Sequence, residues 1–210
     1  MRRATVVGAV LVLTGVCLVG TGLSAQSVAP SPSMHLSAGD GAPQERTVLA
    51  APPLRPSTPV GIDIASIDVH APIGSVGLAP TGAIEVPAPG PSYDVPGWYR
   101  YSPTPGQLGP AVIVGHLDSL HDGPSVFFRL GELTPGQHIE VRRADGRIAV
   151  FEVTAVAAYA KHVFPTGAVF GDLARAGLRL ITCGGPIDPG TGHYRDNTVV
   201  FATLVATRAP

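Results

Sequence analysis

The sequence has little charge, few aromatic residues and almost no cysteine. Charged side chains make up 14% of the 210 residues, and the formal net charge is -1. We therefore expect no basic surface of the kind that binds nucleic acid. A single lysine, Lys161, occurs among the 14 basic residues, which we attribute to compositional bias. No acidic cluster indicates a calcium site, and we expect neither a metal nor a cofactor.

Long helical patterns are also missing. Glycine (26 residues) and proline (22 residues) interrupt the chain throughout, while a hydrophobic content of 45% is sufficient for a core. Alternating apolar residues at 60–64, an apolar run at 111–114 and a turn signal at Asp145-Gly146 predict short strands. We expect an all-β domain of about eight strands, arranged as a closed barrel or a sandwich.

The N-terminus contains the longest apolar run of the sequence. Residues 4–25 carry no charged side chain, and a helix of about 22 residues spans about 33 Å, enough to cross a bilayer core. Arg2 and Arg3 precede the run, which predicts an N-terminus inside the cell and the remaining chain outside. We expect residues 1–25 to be a single-pass anchor in the cell membrane, with the domain on the extracellular face. A cleaved signal segment is the alternative.

Residues 26–59 have the composition of a linker. They contain seven prolines among scattered serine, alanine and glycine, without sustained periodicity. Such a segment buries too little apolar surface to offset its chain entropy, so we predict a disordered tether. Residues 60–207 then form the folded domain.

Cys183 is the only cysteine outside the N-terminal apolar run, where Cys17 lies. It follows an apolar segment and precedes two glycines, which predicts a position at the end of a buried strand. Cys17 cannot pair with it if the first segment is in the membrane. An unpaired thiol in an exported protein indicates a reactive group, so we predict that Cys183 is a nucleophile.

A nucleophilic thiol that attacks an acyl carbon needs an acid–base partner and a donor for the developing oxyanion. His116 is the preferred partner, because it also follows a buried apolar strand and a small residue. Arg195 lies twelve residues after Cys183, at the start of the predicted last strand, and is the candidate oxyanion donor. The alternatives are a structural histidine and a surface arginine.

Three motifs together resemble those of the sortases, the bacterial cysteine transpeptidases. Ile-Thr-Cys at 181–183 is similar to their nucleophile signature, and Gly-His-Leu-Asp-Ser at 115–119 resembles their histidine motif. Tyr-Arg-Asp-Asn at 194–197, followed by an apolar strand, resembles the closing strand of the actinobacterial class F group. The resemblance covers about residues 60–205 and implies a closed eight-stranded sortase-type β-barrel with short helical turns.

The resemblance also implies a role for each residue. Cys183 would attack the threonine carbonyl of a Leu-Pro-x-Thr-Gly-like (LPxTG-like) sorting signal in a surface protein. His116 would protonate the leaving glycine amine, and Arg195 would stabilise the oxyanion. An amine of a cell-wall precursor or of a pilin would then accept the acyl chain. The candidate substrate-binding residues are Val114, Ile181, Thr182 and Asn197.

Two alternatives remain open at this point. Many sortases have their arginine where Asn197 stands, and positions 195 and 197 share one face of an extended strand, so either residue is a candidate for the oxyanion role. The second alternative concerns the whole chain. It is a non-catalytic, membrane-tethered β-domain that binds wall polymer or a protein partner, and in it Cys183 is buried as a small apolar residue. We disfavour a metal site at His116, Asp118 and His121, because one loop would supply all its ligands.

Overall fold

The structure, a computed structural model, describes residues 28–36, 41–88, 90, 92–119 and 123–209. Twelve strands lie in these ranges: β1 (His35–Leu36), β2 (Pro59–Ile64), β3 (Val69–Pro72), β4 (Gly74–Val76), β5 (Gly97–Tyr99), β6 (Gly109–Val114), β7 (Asp118–Ser119), β8 (Gly123–Pro124), β9 (His138–Arg143), β10 (Ile148–Ala160), β11 (Ala176–Ile187) and β12 (Tyr194–Arg208). The helical elements of the same ranges are α1 (Thr166–Phe170) and the 3-10 turns Ala65–Ile67, Leu130–Glu132 and Lys161–Val163. The fold is all-β, as the sequence predicts.

The main sheet has ten strands and curls into a nearly closed barrel. Its path runs β3-β2-β9-β10-β12-β11-β6-β5-β4, and β1 pairs in parallel with β10 beside this path. The short strands β7 and β8 form a separate ribbon. The predicted closed, eight-stranded barrel is therefore corrected: among the described strands no pairing joins β3 to β4. The additional strands are short ones, such as β1 in the N-terminal segment, which the sequence pattern does not reveal.

One apolar cluster fills the inside of the barrel. Strands from most of the sheet path contribute alternate residues to it, for example Ile62 and Ile64 of β2 and Leu178 and Leu180 of β11, all fully buried. This arrangement follows from the strand period of two, which sends alternate side chains to opposite faces. Full burial of each such side chain stabilises the fold by roughly 1.5–3 kcal/mol.

A second apolar cluster, which we call the outer cluster, covers the other face of β6, β10, β11 and β12. Its buried members are Val76, Val112, Val114, Ala155, Ala157, Tyr159, Val169, Ile181, Val199 and Phe201. Leu36 of β1 and Phe164 and Phe170 around α1 pack against it. These strands are thus buried on both faces, which explains why β6 is a continuous apolar run in the sequence. The apolar part of β11 is interrupted by Arg179, whose guanidinium packs on the Phe201 ring.

Residues 41–58 lie along the barrel instead of forming a disordered tether. Their main chain is fixed by the hydrogen bonds Arg46 N to Thr154 O (2.9 Å), Ala51 N to Leu204 O (2.8 Å) and Leu54 N to Gly106 O (2.8 Å). Ala51 and Leu54 also pack against the inner core. The predicted disorder of 26–59 is therefore corrected for the described part of that segment. Its order depends on partners far away in the sequence, which the local composition does not show.

A buried ion pair holds the same segment in place. The Glu45 carboxylate accepts hydrogen bonds from Thr154 Oγ1 and Arg175 Nη2, both at 2.8 Å, and lies 3.6 Å from Arg179 Nη2. The Arg179 side chain is 1% exposed, and its guanidinium carbon lies 4.4 Å from the centre of the Phe201 ring. Burial lowers the pKa of Arg179 to about 10, which leaves it charged at neutral pH. Glu45 therefore supplies the counter-charge that this buried guanidinium needs.

The predicted membrane anchor at residues 1–25 lies outside the described residues. Within the ranges given above, no helix combines the length and the apolar character needed to cross a membrane. The anchor therefore stays a prediction.

Candidate active site

Two neighbouring parallel strands carry the candidate nucleophile and its partner. β6 pairs with β11 so that Val114 lies opposite Ile181, and the Gly115 N–H donates to the Ile181 carbonyl at 3.1 Å. His116 and Cys183 each follow that pair by two residues. Because the two strands run in the same direction, equal steps bring both residues to the same end of the sheet.

Both residues follow outward-facing positions of the two strands. Val112 and Val114 of β6 belong to the outer cluster, and His116 follows Val114 by two residues in the loop after β6. On β11, Ile181 belongs to the same cluster and precedes Cys183 by two residues. The outer cluster thus forms an apolar floor that ends at the thiol and the imidazole.

His116 is held by a stacked ring and by a carbonyl oxygen. Its imidazole stacks on Tyr93, with ring centres 4.6 Å apart and planes at 17°. Its Nε2 lies 2.8 Å from the Pro87 carbonyl oxygen. A carbonyl only accepts, so Nε2 carries the hydrogen in this contact. A Cβ at Gly115 would lie 2.6 Å from the Phe127 ring, so the residue before His116 must be glycine for the loop to pack.

Cys183 is a free, half-buried thiol, unlike the fully buried Leu178 and Leu180 on its own strand. Asn197 of β12 lies directly opposite it, so the two side chains share the outer face. The Lys161 Nζ atom lies 3.5 Å from its Sγ atom. Lys161 is the single lysine of the sequence, but no local pattern predicts this contact, because it depends on the pairing of strands that are distant in the sequence.

The structure does not bring Arg195 into contact with the thiol. Its Nε and Nη2 atoms lie 3.1 and 3.0 Å from Asp188 Oδ2. The register of β11 and β12 shifts between Gly184 and Ile187, where Gly185 adopts a φ of +71°. This irregularity directs the start of β12 towards the turn at Asp188. Backbone N–H groups of that turn, followed by the contact with Arg195, lower the pKa of the Asp188 carboxyl.

A tyrosine links the histidine loop to the closing strand. The Tyr194 hydroxyl donates to the Asp118 carboxylate, at 2.9 and 2.8 Å from its two oxygens. Burial, and next the bond to Asp118, raise the pKa of Tyr194. Asp118 follows His116 by two residues, so this bond ties the loop that carries the imidazole to the strand next to Cys183. The sequence motifs contain both residues, but they do not indicate this bond.

The candidate substrate-binding residues divide between the two faces of the sheet. Val114 and Ile181 form part of the outer floor below the thiol, and Asn197 lies beside it. Thr182 lies between two outer-facing positions, so alternation turns its buried side chain inwards, opposite Thr198. Contact of a peptide on the outer face with the Thr182 side chain is therefore not expected.

The described part of the chain contains no group of three or more histidine, cysteine, aspartate or glutamate side chains placed to hold a metal ion. His121, one ligand of the disfavoured metal site, lies outside that part. The candidate site comprises Cys183 within β11, Lys161 in contact with its sulfur, and His116 just after the neighbouring strand β6. Together with the fold, these residues define a β-barrel protein with a thiol and an imidazole on neighbouring parallel strands or directly after them.

Comparison with known proteins identifies the family. The sortase domain model matches residues 62–205, which is more than half of the chain. The chain therefore belongs to the sortase family, a family of cysteine transpeptidases, as its motifs predict. No curated protein sequence matches the chain.

Solved structures of sortases share the fold. The sortase SrtA of Actinomyces oris aligns with a TM-score of 0.53 at 18% identity, covering 81% of this chain and 89% of its own. Sortase E1 of Streptomyces coelicolor, solved with a tripeptide in the active site, has a TM-score of 0.50 at 18% identity and covers 72% and 90%. A sortase D5 transpeptidase of Clostridium perfringens has a TM-score of 0.50 at 20% identity and covers 71% and 79%. At these identities the likeness establishes the fold alone.

Proposed function

We propose that this sortase is a transpeptidase of the class F type that acts through a thioester on Cys183. The observation that carries the proposal is the half-buried thiol of Cys183 on β11, two residues beyond the pair Ile181–Val114, which His116 follows by the same two residues on the neighbouring chain segment. The proposed substrate is an LPxTG-like sorting signal of a surface protein, cut between threonine and glycine. The proposed acceptor is an amine of a cell-wall precursor or of a pilin.

In the first half of the reaction, the Cys183 thiolate attacks the threonine carbonyl carbon. The carbonyl oxygen becomes an oxyanion, for which Arg195 supplies the hydrogen-bond donor in this proposal. Collapse of the intermediate breaks the Thr–Gly bond, and His116 gives a proton to the leaving glycine amine. Because its Nε2–H points to Pro87, the proton for the amine is assigned to Nδ1 of the imidazolium.

In the second half, the acceptor amine attacks the thioester carbonyl. An amide bond forms, the carbon–sulfur bond breaks, and the sulfur leaves as a thiolate. The amine loses a proton to His116, which restores the imidazolium. The cycle therefore needs no oxidant, reductant or metal ion.

We further propose that the chain is held in the cell membrane by residues 1–25, with the barrel on the extracellular face. The support is the uncharged run at 4–25 behind Arg2 and Arg3. The alternative function, a non-catalytic β-domain with Cys183 as a core residue, fits the site less well. A core thiol would be buried in the manner of Leu180, whereas Cys183 is half-exposed and lies next to a lysine.

The proposal is tested by trapping the acyl enzyme. The full-length protein is incubated with a library of LPxTG-like peptides without an acceptor amine and analysed by mass spectrometry. We expect a covalent adduct on the peptide that contains Cys183, with a mass equal to the part of the signal up to threonine. An enzyme that cleaves the peptides without forming an adduct on Cys183, or that leaves all of them intact, would contradict the proposal.

Substitution at β12 tests which residue assists the oxyanion. We expect Arg195→Ala to lose more turnover than Asn197→Ala, because a guanidinium is a stronger donor to a developing negative charge than a neutral amide. Removal of one oxyanion donor typically costs about 10²–10³ in turnover. Peptide cleavage rates of the two variants provide the measurement. A larger loss of turnover in Asn197→Ala than in Arg195→Ala would assign stabilisation of the oxyanion to Asn197, which lies opposite Cys183.

A further inference from the structure

The single lysine of the chain lies against the candidate nucleophile. Its Nζ is 3.5 Å from Cys183 Sγ, and among the described side chains it alone forms a hydrogen bond to this sulfur. The imidazole of His116 is engaged elsewhere, with Tyr93 and with the Pro87 carbonyl. The cation in contact with the thiol is therefore an ammonium group.

The sheet explains how a residue after β10 reaches a residue on β11. Tyr159 of β10 lies opposite Asn197 of β12, and Asn197 lies opposite Cys183. Lys161 follows Tyr159 by two residues, and the intervening Ala160 has extended backbone angles (φ -63°, ψ 131°). The Lys161 side chain thus projects from the outer face of the sheet and extends across β12 to the sulfur of Cys183.

Other titratable groups stand on every element around the thiol. They are His116 and Asp118 after β6, Tyr194, Arg195 and Asp196 on β12, His162 after β10, and Asp188 on the loop after β11. Several of them are paired with one another: Tyr194 donates to Asp118, and Arg195 binds Asp188. Among the described side chains, Lys161 is the basic group that contacts the sulfur.

We propose that Lys161 is a further catalytic residue, whose ammonium stabilises the Cys183 thiolate before it attacks. The inference rests on the proposed role of Cys183 as the nucleophile. The Sγ–H bond breaks, the proton passes to solvent, and the sulfur keeps the electron pair beside the ammonium. A nearby cation favours the charged form of a thiol, and the thiolate is the form that reacts. Lysine suits this position because its three N–H donors surround a compact charge.

The test measures how fast iodoacetamide alkylates Cys183 as the pH is raised. Full-length protein is used, and peptide mass spectrometry separates Cys183 from Cys17. Lys161→Met should move the midpoint of the alkylation profile upwards by about one pH unit. At pH values well below the wild-type midpoint, alkylation of the variant should be about tenfold slower than alkylation of the wild type. Lys161→Arg retains a cation and should restore most of the original profile.

A matched control separates the effect of the charge next to Cys183 from the effect of the net charge of the protein. Arg147→Met removes one exposed positive charge at the turn between β9 and β10 and should leave the profile unchanged. Thermal unfolding shows whether each variant is folded, and Lys161→Gln serves as a second charge-removing variant if Lys161→Met is unstable. Superimposable profiles for the wild type and the charge-removing variant would overturn the proposal. A shift that Lys161→Arg does not reverse would overturn it too.

The alkylation experiment also separates this inference from the proposed function, because iodoacetamide needs no sorting signal. A shifted profile without any peptide adduct would support the ion pair and contradict the transpeptidase reaction. A peptide adduct with unshifted profiles would support the reaction and remove Lys161 from it.

Discussion

Replacing Cys183 by alanine abolishes cleavage of a Leu-Pro-x-Thr-Gly peptide, and replacing His116 by alanine reduces it below detection. The first change removes the atom that forms the thioester. The second removes the proton donor for the leaving amine, and loss of such a group typically costs about 10²–10⁴ in rate. Release of a fluorescent group from a quenched peptide measures both effects.

Two matched variants control for this result. Cys17→Ala removes the other cysteine, and His138→Ala removes a half-exposed histidine on β9, whose nearest acidic partner is Glu152 at 4.0 Å. Both should cleave the peptide at the wild-type rate. Circular dichroism and thermal unfolding should show that the Cys183 and His116 variants stay folded. Retained turnover in folded Cys183→Ala would refute the thioester mechanism.

Replacing Glu45 by glutamine destabilises the barrel by about 3 kcal/mol, because it leaves the Arg179 guanidinium buried without a counter-charge. Arg179 is 1% exposed, and the Glu45 carboxylate is the acidic group 3.6 Å away. For a domain of this size we expect the melting temperature to fall by roughly 6–12 °C. Thermal unfolding followed by circular dichroism provides the measurement.

The control for Glu45→Gln is the same chemical change at an exposed pair. Glu132 binds Arg129 at 2.6 Å, with 46% of the arginine side chain and 35% of the glutamate side chain exposed, and Glu132→Gln should cost less than about 1 kcal/mol. The double variant Glu45→Gln, Arg179→Met should recover much of the lost stability, because it removes the uncompensated charge. Equal melting temperatures for Glu45→Gln and Glu132→Gln would disprove the proposed function of this ion pair.

The parts of the fold that follow from local patterns were predictable. Asp145-Gly146 marks the turn between β9 and β10, where Gly146 has a φ of +81°. The apolar run at 111–114 forms β6, and the largely apolar segment at 178–181, interrupted by the buried Arg179, lies in β11. Strands buried on both faces show no regular polar alternation. The motif around His116 correctly predicts a position just after a buried strand, whereas the strand that carries Cys183 continues to Ile187 instead of ending at the thiol.

The features that depend on distant partners were not predictable. Proline-rich residues 41–58 have no periodicity of their own, and they are ordered by Glu45 and by main-chain bonds to β10 and β12. Lys161 reaches Cys183 only because β12 lies between their strands. The turn towards Asp188 depends on a register shift after Gly184, and a shift of this kind leaves no mark in hydrophobic periodicity.

The course of the N-terminal segment limits how far the barrel could extend from a membrane anchor of the kind proposed at residues 1–25. A free tether over residues 26–59 would have a contour length of roughly 110–120 Å. The Met34 carbonyl, however, already accepts a bond from Ala158 N at 2.9 Å. Before it, Pro32 is buried and the main chain of Pro30 and Pro32 packs against Gly131, so about four residues remain as spacer, with a maximum length of roughly 13–14 Å. For a chain anchored as proposed, such a short spacer would keep Cys183 close to the membrane, and a substrate of the proposed reaction would meet the thiol there.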